Sequence, residues 1–151
     1  LGDVYKRQTD ERISSDGFVL TGDIGKLDEN GYLYVLDRKD DMIISGGFNI
    51  WPAELENIIL NHPAVSEVAV FAGPHEKWGE TPIAVCVIPE NVEVTELEII
   101  NLCSDGLGSY KKPTKVIFQT ESLPKSPVGK VQRKILREPF WDKDVRRVKG
   151  A

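Results

Sequence analysis

Lys130 follows Gly129 in the segment Pro124-Lys125-Ser126-Pro127-Val128-Gly129-Lys130. A mobile ammonium in a loop between a strand and a helix can neutralise negative charge that builds up on a phosphate or carboxylate. On this loop alone the plainer reading prevails, a surface lysine beside Arg133, Lys134 and Arg137. The segment is not a Walker A loop. Its first glycine is missing, and Val131 stands where Mg²⁺ would need Ser or Thr. Asp23, in Thr21-Gly22-Asp23, could accept bonds from a ligand's hydroxyls because Gly22 lets a backbone approach closely. A turn-stabilising Asp accounts for the same triplet. Gly46-Gly47 reads as a hairpin turn, or as a side-chain-free surface along which a narrow ligand arm can slide.

Other chemistry finds little material. His62 and His75 share no metal-ligand spacing, and no metal site is expected. Two histidines also leave little for a Ser-His-Asp arrangement. Cys86 and Cys103 lie in apolar segments and read as reduced core thiols of a cytoplasmic protein. Trp51 and Trp78 read as packing residues.

The chain has 151 residues, a net charge of -5, 40% hydrophobic and 28% charged residues. That mixture can build a core. Its acidic balance argues against nucleic-acid binding and against anionic membranes. No apolar run reaches the roughly 20 residues of a membrane span. Residues 1–8 contain no apolar signal region and belong to no element that follows.

The elements that must position these residues follow from local pattern. Ile24 to Leu27 and Tyr32 to Leu36 flank Asn30-Gly31, a hairpin signal. The charge run 37–41 reads as a solvated turn and a boundary. Residues 42–45 and 48–50 form a second hairpin around Gly46-Gly47. Pro52 opens a helix whose inner face carries Leu55, Ile58 and Ile59. Residues 65–71 and 83–88 are β-rich, with Gly73-Pro74 and residues 78–82 marking a loop between them. Thr95 and Glu98 form a capping box for a helix carrying Leu97, Ile100 and Leu102 or Cys103. Residues 115–119 read as a third core strand. A short basic helix is expected near 131–137, with an exposed tail from Glu138. The expected class is α+β, a β-hairpin and a three-stranded sheet packed by helices, preceded by a separate hairpin.

Taken together, these segments resemble the carboxyl-terminal part of the acyl-adenylate-forming, or AMP-binding, superfamily, over residues 17–138. The motifs are Thr21-Gly22-Asp23, the run 37–50 (DRKDDMIISGGFNI), and Pro124 to Lys130, in family order. Pro52-Ala53-Glu54-Leu55-Glu56 and Trp78-Gly79-Glu80 match as well. The ordered set outweighs the plainer readings of each motif.

The resemblance implies roles. Asp23 would bind the ATP ribose hydroxyls, and Arg38 the ribose and phosphate side. Asp40 would be the hinge about which a small domain turns. Gly46 and Gly47 would line the tunnel for the pantetheine arm of CoA. Glu54 matches the acidic residue of the helix that follows, and Lys130 the catalytic lysine of adenylation. The implied enzyme is an acid–thiol ligase of the acyl-CoA synthetase kind, using ATP, Mg²⁺, CoA and a carboxylic acid. Luciferase-like members carry lysine where Gly46 stands. A peptide-synthetase adenylation domain and a non-catalytic binding module are the alternatives.

The implied organisation is a non-native or disordered start at 1–8, the end of a large domain at 9–37, and a hinge at 38–41. A carboxyl-terminal domain at 42–138 and a charged tail at 139–151 follow. The family's large domain holds the ATP-phosphate loop, the Mg²⁺ ligands and the acid pocket. The chain is therefore expected to be inactive and to bind no cofactor alone.

Overall fold

The computed structural model describes residues 12–141. The chain divides into two compact units, with the break between Asp40 and Asp41. The first unit is built on an antiparallel hairpin, β1 (Asp23–Leu27) and β2 (Leu33–Arg38). Asp28 organises its turn, accepting the Asn30 and Tyr32 N–H groups at 2.9 Å each and the Tyr34 hydroxyl at 3.1 Å. These bonds, that of the Tyr32 N–H first, hold the Asp28 carboxyl below its ordinary range. A register shift between Ile24 and Gly25 leaves Leu36 as an extra residue on β2.

The charge run is not wholly a turn. Asp37 and Arg38 continue β2, paired with Ile24 and Asp23, and a 3₁₀ turn begins at Lys39. Ladder pairing supplies their backbone bonds whatever the charge of their side chains.

The second unit is a five-stranded sheet covered on both faces. β3 (Ile43–Ser45) and β4 (Phe48–Ile50) form the second hairpin as the sequence predicts. β3 joins the main sheet at a single pair, Ser45↔Gly79. β5 (Glu67–His75) and β6 (Gly79–Val87) pair antiparallel along their whole length. The loop expected over 73–82 is therefore a correction, since its residues extend the ladder and leave 76–78 as the turn. Pro82 is tolerated because its carbonyl faces Thr114, whose N–H donates to it at 3.0 Å. The proline's missing N–H thus points away from β5.

β7 (Lys115–Gln119) lies parallel to β6, so the chain must cross over between them. The crossover is α2 (Glu96–Leu107), opened by the predicted Thr95–Glu98 capping box. Of its expected face, Ile100 and Cys103 pack on the core, joined by Ile99, and Leu97 does not. Ile99 and Cys103 are fully buried, whereas Leu97 is 62% exposed. Leu97 precedes Ile99 by two residues, about 200° round the helix, and so faces away. α1 (Pro52–Ile59) starts at Pro52 and buries Leu55 and Ile59.

The strands sort the core by alternation. Val68, Val70, Ala84 and Cys86 pack with Leu55, Ile59, Ile99 and Cys103 of α1 and α2. Ala69, Phe71, Ile83 and Val85 face the other way, toward Leu123, Val131 and Leu136. Leu136 lies on α3 (Arg133–Arg137). Cys86 and Cys103 are free, and burial pushes their thiols up to about 12 and about 11.

The expected exposed tail is partly structure. Phe140 packs on Phe71 with ring centroids 5.5 Å apart, and the Trp141 ring N–H donates to the Ala72 carbonyl at 2.8 Å. Residues 1–8 and 142–151 of the expected start and tail lie outside the described residues.

Candidate functional site

The first unit brings Asp23 and Arg38 together. They are register partners across the β1–β2 ladder, with Arg38 Nε 3.7 Å from Asp23 Oδ1. The side chains are 41% and 65% exposed, so the pair contributes little to stability, under about 1 kcal/mol. Both groups therefore keep free capacity for a ligand. The backbone behind them is fixed. The Asp23 N–H donates to Thr21 Oγ1 at 3.1 Å, and the Lys39 N–H to the Gly22 carbonyl at 2.8 Å. A carboxylate beside a guanidinium suits a vicinal diol next to a phosphate. Asp40 ends this unit.

In the second unit, Gly46 and Gly47 take φ of +56° and +86°. A two-residue hairpin loop of the primed kind needs positive φ at both positions. The Gly46 N–H donates to the Trp78 carbonyl at 3.0 Å, tying this turn to the β5–β6 turn. A Cβ on Gly46 would sit 3.4 Å from Trp78 Cδ1.

The glycine turn opens onto a pocket of about 660 Å³, walled by Gly46, Phe48, Trp78, Leu97, Tyr110 and Lys112 among others. Phe48 and Tyr110 meet with ring centroids 5.0 Å apart. Trp78 stacks on His75 at 4.3 Å and is 43% exposed. Trp78 thus packs, on His75, and also forms a pocket wall. Phe48 stands in the quoted run 37–50 without a role of its own, and Tyr110 and Lys112 lie in no motif. They come from a strand, a 3₁₀ turn and a linker, and no local pattern joins them. The exposed Leu97 belongs to the same wall.

Two carboxylates hold this region. Glu80 is fully buried, and its Oε2 accepts the Ile44 N–H at 3.0 Å. Glu54 accepts the Lys111 ammonium at 2.6 Å, pinning the turn that presents Tyr110.

Lys130 sits in a different place. Its segment is a tight loop, with a bridge Lys125↔Val131 and reciprocal bonds between Ser126 and residues 129 and 130. The Lys130 N–H also donates to Ser126 Oγ at 3.2 Å, and the side chain is exposed. Glu67, first residue of β5, holds the incoming stem. The glycine turn instead meets β6 at Gly79, the far end of the same ladder. The register pairs run from Glu67↔Val87 to His75↔Gly79. Eight residue steps at ~3.3 Å put about 26 Å between the two attachment points. Among the described residues, no group of three or more His, Cys, Asp or Glu could hold a metal ion. No helix among them is long and apolar enough to cross a membrane.

Residues 54–130 match the family described as AMP-binding enzyme C-terminal domain, and the chain belongs to that family. It is 50% identical over 141 residues to a long-chain-fatty-acid–CoA ligase of Mycobacterium tuberculosis, 93% of this chain and 28% of that protein. It is 45% identical over 137 residues to a 2-succinylbenzoate–CoA ligase of Listeria monocytogenes, 91% of this chain and 29% of that protein. Among solved structures, ATP-bound MatB from Rhodopseudomonas palustris superposes with a TM-score of 0.82 at 39% identity. That match covers 93% of this chain and 27% of MatB. The chain thus spans little more than a quarter of the length of these relatives.

Proposed function

We propose that this chain is the carboxyl-terminal part of an ATP-dependent acid–CoA ligase, inactive by itself. The observation that carries the reading is that the incoming stem of the Lys130 loop is bonded at Glu67 while the Gly46-Gly47 turn is joined at Gly79, opposite ends of one β-ladder. A rigid domain so built can offer either group to one reaction centre, but not both at once. Turning about Asp40 would exchange them.

In the first half-reaction, a carboxylate oxygen attacks the α-phosphorus of ATP and the bond to pyrophosphate breaks. The two reactants repel one another. The Lys130 ammonium offsets that charge as it concentrates in the transition state. Asp23 holds the ribose hydroxyls, with Arg38 beside the phosphate. Mg²⁺, when bound, would supply charge screening at the pyrophosphate, and its ligands, like the acid pocket, are assigned to the larger part of the ligase.

In the second half-reaction, the thiol of CoA attacks the acyl carbonyl, AMP leaves and the thiol proton passes to solvent. The glycine turn gives the pantetheine arm a wall without side chains. The adjoining pocket, with its aromatic walls and Lys112, suits the remainder of the cofactor. The apolar exposure of the first hairpin agrees with this reading. Leu33 and Val35 are each 66% exposed on a two-stranded unit that needs a further layer.

The test uses the whole ligase and the 151-residue chain side by side, with Mg·ATP, CoA and either palmitate or 2-succinylbenzoate. The whole ligase is expected to release pyrophosphate and form a CoA thioester. The chain alone is expected to show no ATP–pyrophosphate exchange. Exchange by the purified chain, or a whole protein that makes adenylate but no thioester, would overturn the proposal.

A further inference from the structure

The Lys130 loop is gripped at both stems by carboxylates that lie outside the loop. On the incoming stem, Glu67 uses both oxygens. Oε1 accepts the Ser122 hydroxyl at 2.6 Å and the Lys125 ammonium at 2.8 Å, and Oε2 the Leu123 N–H at 3.2 Å. On the outgoing stem the grip runs through Arg133, three residues past Lys130. Its Nε and Nη2 fork onto Glu56 at 3.1 and 2.7 Å, and its Nη1 lies 3.3 Å from Asp41. Glu56 is itself fixed, because its Oε1 accepts the Val70 N–H from β5 at 2.8 Å. Between the stems, the Gln132 N–H closes onto the Pro124 carbonyl at 2.8 Å.

The Lys125–Glu67 pair, 39% and 25% exposed, adds little to stability, whereas the Arg133–Glu56 fork is more buried, at 23% and 15%. Forked, multiply bonded carboxylates do fix geometry. Every loop-side partner of Glu67 and Glu56 falls within residues 122–133. Both glutamates project from the main body of the unit, on β5 and α1. The family-like motif Pro52-Ala53-Glu54-Leu55-Glu56 therefore divides its acids. Glu54 serves the pocket end and Glu56 the lysine loop.

We propose that Glu67 and Glu56, the latter through Arg133, are positioning residues that hold Lys130 in place for adenylation without touching the reactants. This rests on the reading of Lys130 given above. Because a 1 Å misplacement can cost about 10²-fold in rate, loosening either stem should impair the lysine's half-reaction alone.

Two measurements test the proposal. In the 151-residue chain, amide exchange is followed at Ser126, Gly129, Lys130 and Gln132 for Glu67→Gln and Glu56→Gln. Exchange at these amides should rise about tenfold while the β5–β6 ladder keeps its protection, as expected for local opening. In the whole ligase, with palmitate or 2-succinylbenzoate as the acid, the same variants should slow ATP–pyrophosphate exchange by roughly 10- to 100-fold. Thioester formation from preformed acyl-adenylate should stay within about threefold of the parent, since that step does not use Lys130. Glu67→Asp should recover part of the loss.

Unchanged loop exchange would overturn the clamp. A parallel fall of both half-reactions would overturn the positioning role, because it would report only a weakened fold. Lys130→Ala is run alongside. If it spares adenylation, the functional reading has failed, and loop exchange still decides the clamp by itself.

Discussion

The buried Glu80 carboxylate accepts the Ile44 N–H at 3.0 Å, bonding the β5–β6 hairpin to the hairpin that carries the glycine turn. β3 otherwise meets the main sheet at one register pair, Ser45↔Gly79. One side chain thus does much to hold the glycine turn against Trp78.

Glu80→Ala should leave the Ile44 N–H without its acceptor and open space inside the unit. The expected loss is roughly 1–3 kcal/mol of stability, measured by urea unfolding of the chain. Amide exchange at Ile44 should accelerate more than at Val70. Equal acceleration at both would mean that Glu80 supports the whole unit and not this hairpin in particular.

Gly46→Leu puts a side chain against Trp78, at a position where φ is +56° and a Cβ already lies 3.4 Å from the ring. In the whole ligase, thioester formation should fall by at least about tenfold, since the thiol arm loses its approach. ATP–pyrophosphate exchange should be little changed. Equal losses in both steps would count against the assignment of the glycine turn.

The Glu67 clamp should be sensitive to acid. Its carboxyl is held below the ordinary 4.5 by the Lys125 ammonium first, then by Ser122 and the Leu123 N–H. The folded value is the lower one. The clamp's contribution is therefore complete above about 4.5 and is lost as pH falls through the folded value. Amide exchange at Leu123, corrected for intrinsic rate, should be flat from pH 7 to 5 and rise below about 4.5. Glu67→Gln should abolish that rise.

The two units should differ in local stability. Leu27, Leu33 and Val35 are about two-thirds exposed on the first hairpin, whereas Val70 and Ala84 are fully buried in the second unit. In the isolated chain, β1 and β2 should exchange at least about tenfold faster than β5 and β6. Matching protection would contradict the reading that the first hairpin needs packing from a larger body.

What could be read from the sequence was local. The Thr95–Glu98 capping box, Asn30-Gly31 and Gly46-Gly47 each act within four residues, and each sits where the pattern put it. The extension of β5 and β6 through Gly73, Pro74 and Pro82 was hidden, because partners across the ladder supply the bonds. The inner face of α2 was misjudged at Leu97. Apolar character alone does not separate a core residue from a pocket wall. Trp78 packs on His75 as expected, but its place in the pocket wall depends on Phe48 and Tyr110, which reach it from distant segments. Glu80 and Glu56 stood inside quoted motifs, yet their work is visible through the partners they hold, Ile44 and Arg133.

The central claim is that Lys130 serves one half-reaction and not the other. Its most direct measurement is Lys130→Ala in the whole ligase, assayed separately for ATP–pyrophosphate exchange and for CoA thioester formation from preformed acyl-adenylate. Loss of one preorganised charge contact predicts a fall of about 10²–10³ in adenylation, with thioester formation nearly unchanged. A fall of equal size in both steps, or in neither, would contradict the account.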